Sequence, residues 1–223
     1  MSSVHEIPSF PPPEVAPAGF PTAPHASAGA YFSEYGREAA RAAATIEAAA
    51  LDRAATILLE AYTRGARVFA CGNGGSATIA NHLQCDHVKG VRNTTDLAPR
   101  VVSISSNVEL ITAIANDMAY EDVFTYQLQS QSCPGDVLIA VSSSGSSANI
   151  VRALTWARDH GVRTIALTGF DGGDARKIAE VAVHADSANY GIIEDLHQAI
   201  MHALAQYIRQ SRMTAEAIWS SVF

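Results

Sequence analysis

Five short apolar runs, each followed by turn residues and a helix-forming segment, mark the chain as an α/β protein on a parallel sheet with helices on both faces. A second observation agrees. Two of the loops that follow those runs consist almost wholly of glycine, serine and asparagine, which let a backbone turn sharply from strand to helix. The third is size: 223 residues with 48% hydrophobic and 17% charged side chains can bury one sizeable core.

Residues 1–28 hold seven of the nine prolines among alanine and serine, with no apolar period. Such a stretch buries too little surface to order itself, so a disordered or loosely attached arm is expected. From Tyr31 to Arg64 the composition turns to Ala, Glu, Arg and Leu without proline, a long helix or helix pair that Gly65 closes. Its many alanines suit close packing between subunits. Strands are expected at 67–71, 101–104, 136–141, 163–168 and 181–184, as aliphatic runs bounded by turn residues. Helices are expected at 76–89, 108–115 and 121–131, then from near 148 to 160 and from near 192 to 212. The domain proper is therefore 29–212. In the tail, 213–223, Ile218, Trp219, Val222 and Phe223 are expected to pack on this chain or a neighbouring subunit.

No apolar run approaches the ~20 residues needed to cross a bilayer, which excludes a membrane protein. A net charge of −7, from 15 basic against 22 acidic residues, does not supply the positive surface that sequence-independent nucleic-acid binding needs. Cys71, Cys85 and Cys133 have no paired spacing, and no basic segment followed by an apolar stretch opens the chain. A reducing, cytoplasmic setting is the expectation.

The loop Gly72-Asn73-Gly74-Gly75-Ser76-Ala77 formally fits a dinucleotide-binding pattern. That reading also wants an acidic residue closing the next strand, and Ser105-Ser106-Asn107 offer none. No lysine follows the glycines, so a nucleotide P-loop is excluded too. The second loop is more informative. Ser142, Ser143, Ser144 and Ser147 surround Gly145 just before a helix, and hydroxyls with free backbone N–H groups there suit a phosphate monoester. His82 and Asp86, four residues apart, share a helix face. On the last helix Glu194 lies about 80° from His202 and about 60° from His197 on the other side, so spacing permits either pairing. Such a set can hold a divalent transition metal or act as an acid–base pair.

Taken together, Gly72-Asn73-Gly74-Gly75-Ser76, Asn116-Asp117, Ser142-Ser143-Ser144-Gly145-Ser146-Ser147-Ala148-Asn149 and Leu167-Thr168-Gly169 resemble the sugar isomerase (SIS) domain family, over roughly Tyr31 to Arg212. The two helix histidines are closest to its phosphoheptose isomerase branch. The resemblance implies a SIS-type three-layer sandwich on a five-stranded parallel sheet, preceded by a long N-terminal helical region. It implies a homotetramer with active sites shared between subunits, and zinc or another divalent transition metal. It also implies an isomerase that converts a seven-carbon ketose phosphate to the aldose phosphate through an enediol. Substrate contacts then fall on Asn73, Gly74, Gly75, Asn116, Asp117, Ser142, Ser143, Ser144 and Ser147. Metal ligands fall on His82, Asp86, Glu194 and His202, with Asp86 as base, His202 as acid and Glu194 as reserve base. In this way the resemblance selects His202 over His197.

The chain departs from the family where Asp86 stands for glutamate and Glu194 for glutamine, and Asp86–Arg92 lacks the usual Gly-Arg sequence. These changes give weight to another long-chain ketose phosphate, such as an eight-carbon one, as substrate. A non-catalytic SIS scaffold is the reading from another class. The four convergent ligands argue against it.

Overall fold

The computed structural model describes residues 19–223, so the arm expected over 1–28 lies outside the described residues as far as position 18. Over 19–27 the chain is laid against helices. The Phe20 ring sits 5.0 Å from that of Tyr31 and 6.1 Å from that of Tyr35, and Asn189 Nδ2 donates to the Phe20 carbonyl at 2.9 Å.

The alanine-rich run forms a helix pair, α1 (Ala28–Ala43) and α2 (Ala48–Arg64). Ser27 caps α1 by accepting from Ala30 N–H, and Gly65 ends α2 with a left-handed φ of 71°. Between them Thr45 Oγ1 donates to the Ala42 carbonyl at 2.7 Å and accepts from Asp186 N–H at 3.0 Å, an alternative to the helical ladder.

Five strands follow: β1 (Arg67–Gly72), β2 (Arg100–Ser103), β3 (Val137–Ser142), β4 (Arg163–Thr168) and β5 (Val181–His184). All pair in parallel, in the order β2-β1-β3-β4-β5. The winding direction changes between β1 and β3, so their carboxyl ends flank the crevice where open α/β sheets take ligands. The remaining helices are α3 (Gly75–Cys85), α4 (Val108–Asp117), α5 (Thr125–Gln131), α6 (Ala148–Asp159), α7 (Gly173–Ile178), α8 (Tyr190–Gln210) and the short α9 (Ala215–Trp219) of the tail.

Alternate strand residues feed two cores, as the two-residue period of a strand dictates. Val68, Ala70, Val137, Ile139 and Val141 pack with Leu58 of α2, Leu83 of α3 and Met201 of α8. Phe69, Cys71, Leu138 and Ala140 pack with Ile114, Leu128 and Leu154 of α4, α5 and α6 on the other face. The result is the three-layer α/β sandwich.

Some boundaries differ from expectation for local reasons. Asp136 stays outside β3 because its carboxylate accepts from Arg67 N–H at 2.8 Å and Cys133 N–H at 2.9 Å. The helix expected over 76–89 is α-helical only to Cys85, then widens into a π-helical turn, Asp86–Val91. The segment expected as one helix over 121–131 divides into a 3₁₀ turn, Tyr120–Asp122, and α5.

His197 of α8 is wholly buried, and loss of hydration drives its imidazole pKa down from 6.5 to about 4. The unfolded chain binds this proton near pH 6.5 and the folded chain does not. Folding therefore loses roughly 3 kcal/mol from this residue as pH falls through that window, and keeps it above. Denaturant midpoints should hold between about pH 7 and 8 and fall towards pH 4.5, with a shallower fall in the His197→Gln protein. Equal slopes in the two proteins would refute the assignment.

Candidate active site

The first loop leaves β1 through Gly72, whose missing Cβ lets the Ser76 backbone approach, and turns at Gly74 with φ 53° into α3. The side-chain amides of Asn73 and Asn149 pair reciprocally, at 2.9 Å in each direction, and Tyr120 O–H donates to Asn73 Oδ1 at 2.9 Å. Asn73 therefore ties the loop after β1 to the start of α6. Asn116 and Asp117 end α4, where Asn116 Nδ2 donates to Asp117 Oδ1 at 2.7 Å, a few residues before that tyrosine.

The second loop leaves β3 at Ser142, and Gly145 takes a φ of 67° to redirect the chain into α6. Its backbone is pinned to the corner after β4: Gly169 N–H donates to the Ser143 carbonyl at 2.8 Å and Ala175 N–H to the Gly145 carbonyl at 2.9 Å. Ser142 Oγ accepts from Gly145 N–H at 3.2 Å and Ser144 Oγ from Ser146 N–H at 3.3 Å. Ser143 Oγ is buried and finds no partner among the described residues, while Ser147, the N-cap of α6, makes no side-chain capping bond. Unused hydroxyls at the start of a 12-residue helix are what a bound oxyanion requires.

Helices α3 and α8 bring His82, Asp86 and His202 together, with one ligand atom from each within 4.8 Å of the others. His82 Nε2 lies 3.3 Å from Asp86 Oδ1, and His202 Nε2 lies 3.3 Å from Asp86 Oδ2. The π turn sets this arrangement. His87 is buried with Nδ1 2.6 Å from Tyr62 Oη, so the turn is anchored in the core while Asp86 faces the two imidazoles. Two imidazoles and a carboxylate, all partly exposed, fit a divalent transition ion that keeps a position for substrate oxygen. Beside Asp86 opens a cavity of about 640 Å³ with Lys89, Arg92 and Arg209 in its wall.

Glu194 lies elsewhere on α8. Its carboxylate covers Gly75, where a Cβ would collide with it, and it is not part of the three-residue group. His197 points into the core. One residue of this face escaped sequence reasoning: Gln198 Nε2 lies 2.8 Å from His82 Nδ1 and 3.1 Å from His202 Nε2. Its spacing of four from His202 was the available signal. Asn149 and Tyr120, which hold Asn73, were also passed over as site residues.

A family model for the SIS domain matches residues 30–169. The phosphoheptose isomerase of Akkermansia muciniphila is 36% identical over 162 residues, covering 72% of this chain and 84% of that protein. The phosphoheptose isomerase of Chlorobaculum tepidum is 35% identical over 160 residues, 70% of this chain and 76% of that one. Among solved structures, phosphoheptose isomerase from Neisseria gonorrhoeae superposes with a TM-score of 0.74 at 31% identity, covering 82% of this chain and 96% of that one.

Proposed function

The chain belongs to the SIS domain family, in its phosphoheptose isomerase branch, and on that premise we propose that it interconverts sedoheptulose 7-phosphate and the aldose heptose 7-phosphate. The observation that carries this reading is the meeting of two imidazoles with the Asp86 carboxylate in a chain that also keeps an open anion cradle at β3. The phosphate is held by Ser142, Ser143, Ser144 and Ser147, and the sugar by Asn73, Gly74, Gly75, Asn116 and Asp117. Binding energy at the phosphate end positions the reacting carbons.

Asp86 removes a proton from C1 of the open-chain ketose. The C1–H electron pair becomes the C1–C2 double bond, and the C2 carbonyl oxygen takes a proton from His202. The enediol then returns its C1 hydroxyl proton to His202, and C2 receives the proton held by Asp86, leaving the aldehyde at C1. Glu194, over Gly75, is the second candidate for the base. A divalent ion, zinc by family resemblance, fits His82, Asp86 and His202, and when bound would supply a Lewis acid for the carbonyl oxygen; Glu194, the fourth ligand the resemblance implies, would have to leave Gly75 to join them. We infer from the family resemblance a cytoplasmic homotetramer with sites shared between subunits; the exposed Phe32, Trp219 and Val222 are apolar surface that a subunit contact would cover.

The test is NMR of sedoheptulose 7-phosphate with the protein in deuterated water, with and without chelator. Conversion to the aldose, lost on chelation, is the expected outcome, and deuterium at C2 measures how far the proton on Asp86 exchanges with solvent before it returns. No aldose from metal-containing protein would move the substrate to a longer ketose phosphate, such as an eight-carbon one. No aldose and no metal would favour a scaffold.

A further inference from the structure

We propose that Gln198 is a positioning residue of the metal centre, its amide fixing the His82 ring from the side opposite Asp86; the inference rests on reading His82, Asp86 and His202 as metal ligands. Gln198 stands one turn before His202 on α8, with its amide 2.8 Å from His82 Nδ1 and 3.1 Å from His202 Nε2. His82 thus offers its two nitrogens to different neighbours, Nε2 to Asp86 and Nδ1 to Gln198. A neutral imidazole carries its proton on one nitrogen and a lone pair on the other. For the Nε2 lone pair to face an ion beside Asp86, the proton must sit on Nδ1, and that N–H needs an acceptor.

Gln198 Oε1 is that acceptor. A half-turn about the last side-chain bond exchanges the amide oxygen and nitrogen at almost no steric cost. In metal-free protein the NH₂ end donates to the imidazole lone pairs. On loading, the oxygen end accepts from His82 Nδ1–H and holds the ring to the ion. Glu194 does not take this part, because its carboxylate lies over Gly75. Partners of this kind, which bond the far nitrogen of a ligating imidazole, commonly change metal affinity by about 10–100-fold.

The experiment is a zinc titration of the full chain against a chromophoric chelator, for the wild type, Gln198→Leu and Gln198→Glu. Gln198→Leu keeps most of the side-chain volume and removes the polar end, so it should weaken zinc by about 10–100-fold with an unchanged melting profile. Gln198→Glu restores an oxygen acceptor and should bring affinity back to the wild-type level or above. The visible spectrum of the cobalt-substituted protein should change in the leucine variant and recover in the glutamate one. Zinc affinity of Gln198→Leu within about threefold of wild type, or no rescue by glutamate, overturns the role of Gln198 and leaves the metal centre standing. A wild-type chain that takes up no zinc or cobalt overturns both.

Discussion

Asp86→Asn is expected to lower turnover of sedoheptulose 7-phosphate by about 10³-fold while substrate affinity moves only a few-fold. Asparagine keeps the size of the side chain and the π turn around it, and removes the carboxylate assigned as base. The phosphate site proposed at the serine loop lies after another strand, so binding is expected to survive. Asp86→Glu tests reach with the carboxylate retained: it adds one methylene and should stay within about tenfold of the parent. Steady-state isomerisation with an NMR readout, and equilibrium binding of the substrate to each variant, decide the matter. Unchanged turnover in Asp86→Asn would remove Asp86 from the reaction and bring Glu194 forward.

The second large effect is expected at Gly145, where the serine loop is shaped by backbone alone. Its φ of 67° lies in the left-handed region, and a Cβ there would run into the backbone carbonyl of Gly172. That oxygen cannot swing aside as a long side chain could. Gly145→Ala should therefore cost about 3 kcal/mol, combining strain with overpacking. In a chain of this size the melting temperature should fall by about 8 °C. The same displacement spoils the cradle formed by Ser142, Ser143 and Ser147, so KM should rise at least about tenfold with a smaller change in kcat. Gly36→Ala is the control, because Gly36 sits inside α1 and no atom of the described residues outside its own helix backbone lies within 4 Å of where its Cβ would be. It should gain about 0.5–1 kcal/mol. A Gly145→Ala protein with parental melting and KM would show that the loop is softer than its contacts imply.

The sheet was legible because parallel strands are buried on both faces, and Val137-Leu138-Ile139-Ala140-Val141 carries that as an unbroken apolar run. The loops after β1 and β3 were legible because their glycines and serines stand directly after such runs. What stayed hidden depends on contacts between distant segments. Helical spacing left Glu194 free to pair with either histidine, and only tertiary packing sends His197 into the core and His202 to Asp86. The π turn after Cys85 has no compositional mark, since a change of hydrogen-bond span leaves the residues unaltered. Gln198 was missed for a related reason: a lone amide on a half-exposed helix face looks like solvent-facing filler until the facing helix places His82 opposite it.

The bonds that hold Asn73 bear also on how the protein ages. Asparagine followed by glycine, as in Asn73-Gly74, is the dipeptide most open to spontaneous deamidation, in which the glycine backbone nitrogen attacks the side-chain carbonyl carbon and ammonia leaves. That attack needs the amide to rotate back over its own backbone. Here both ends of the amide are engaged, by Asn149 and by Tyr120, and rotation would break all three bonds. Deamidation would put a carboxylate beside the serine loop, where it would repel the phosphate proposed to bind there. The reciprocal amide pair that joins two loops is thus also a chemical preservative, keeping a new carboxylate from forming at position 73 for as long as the fold persists.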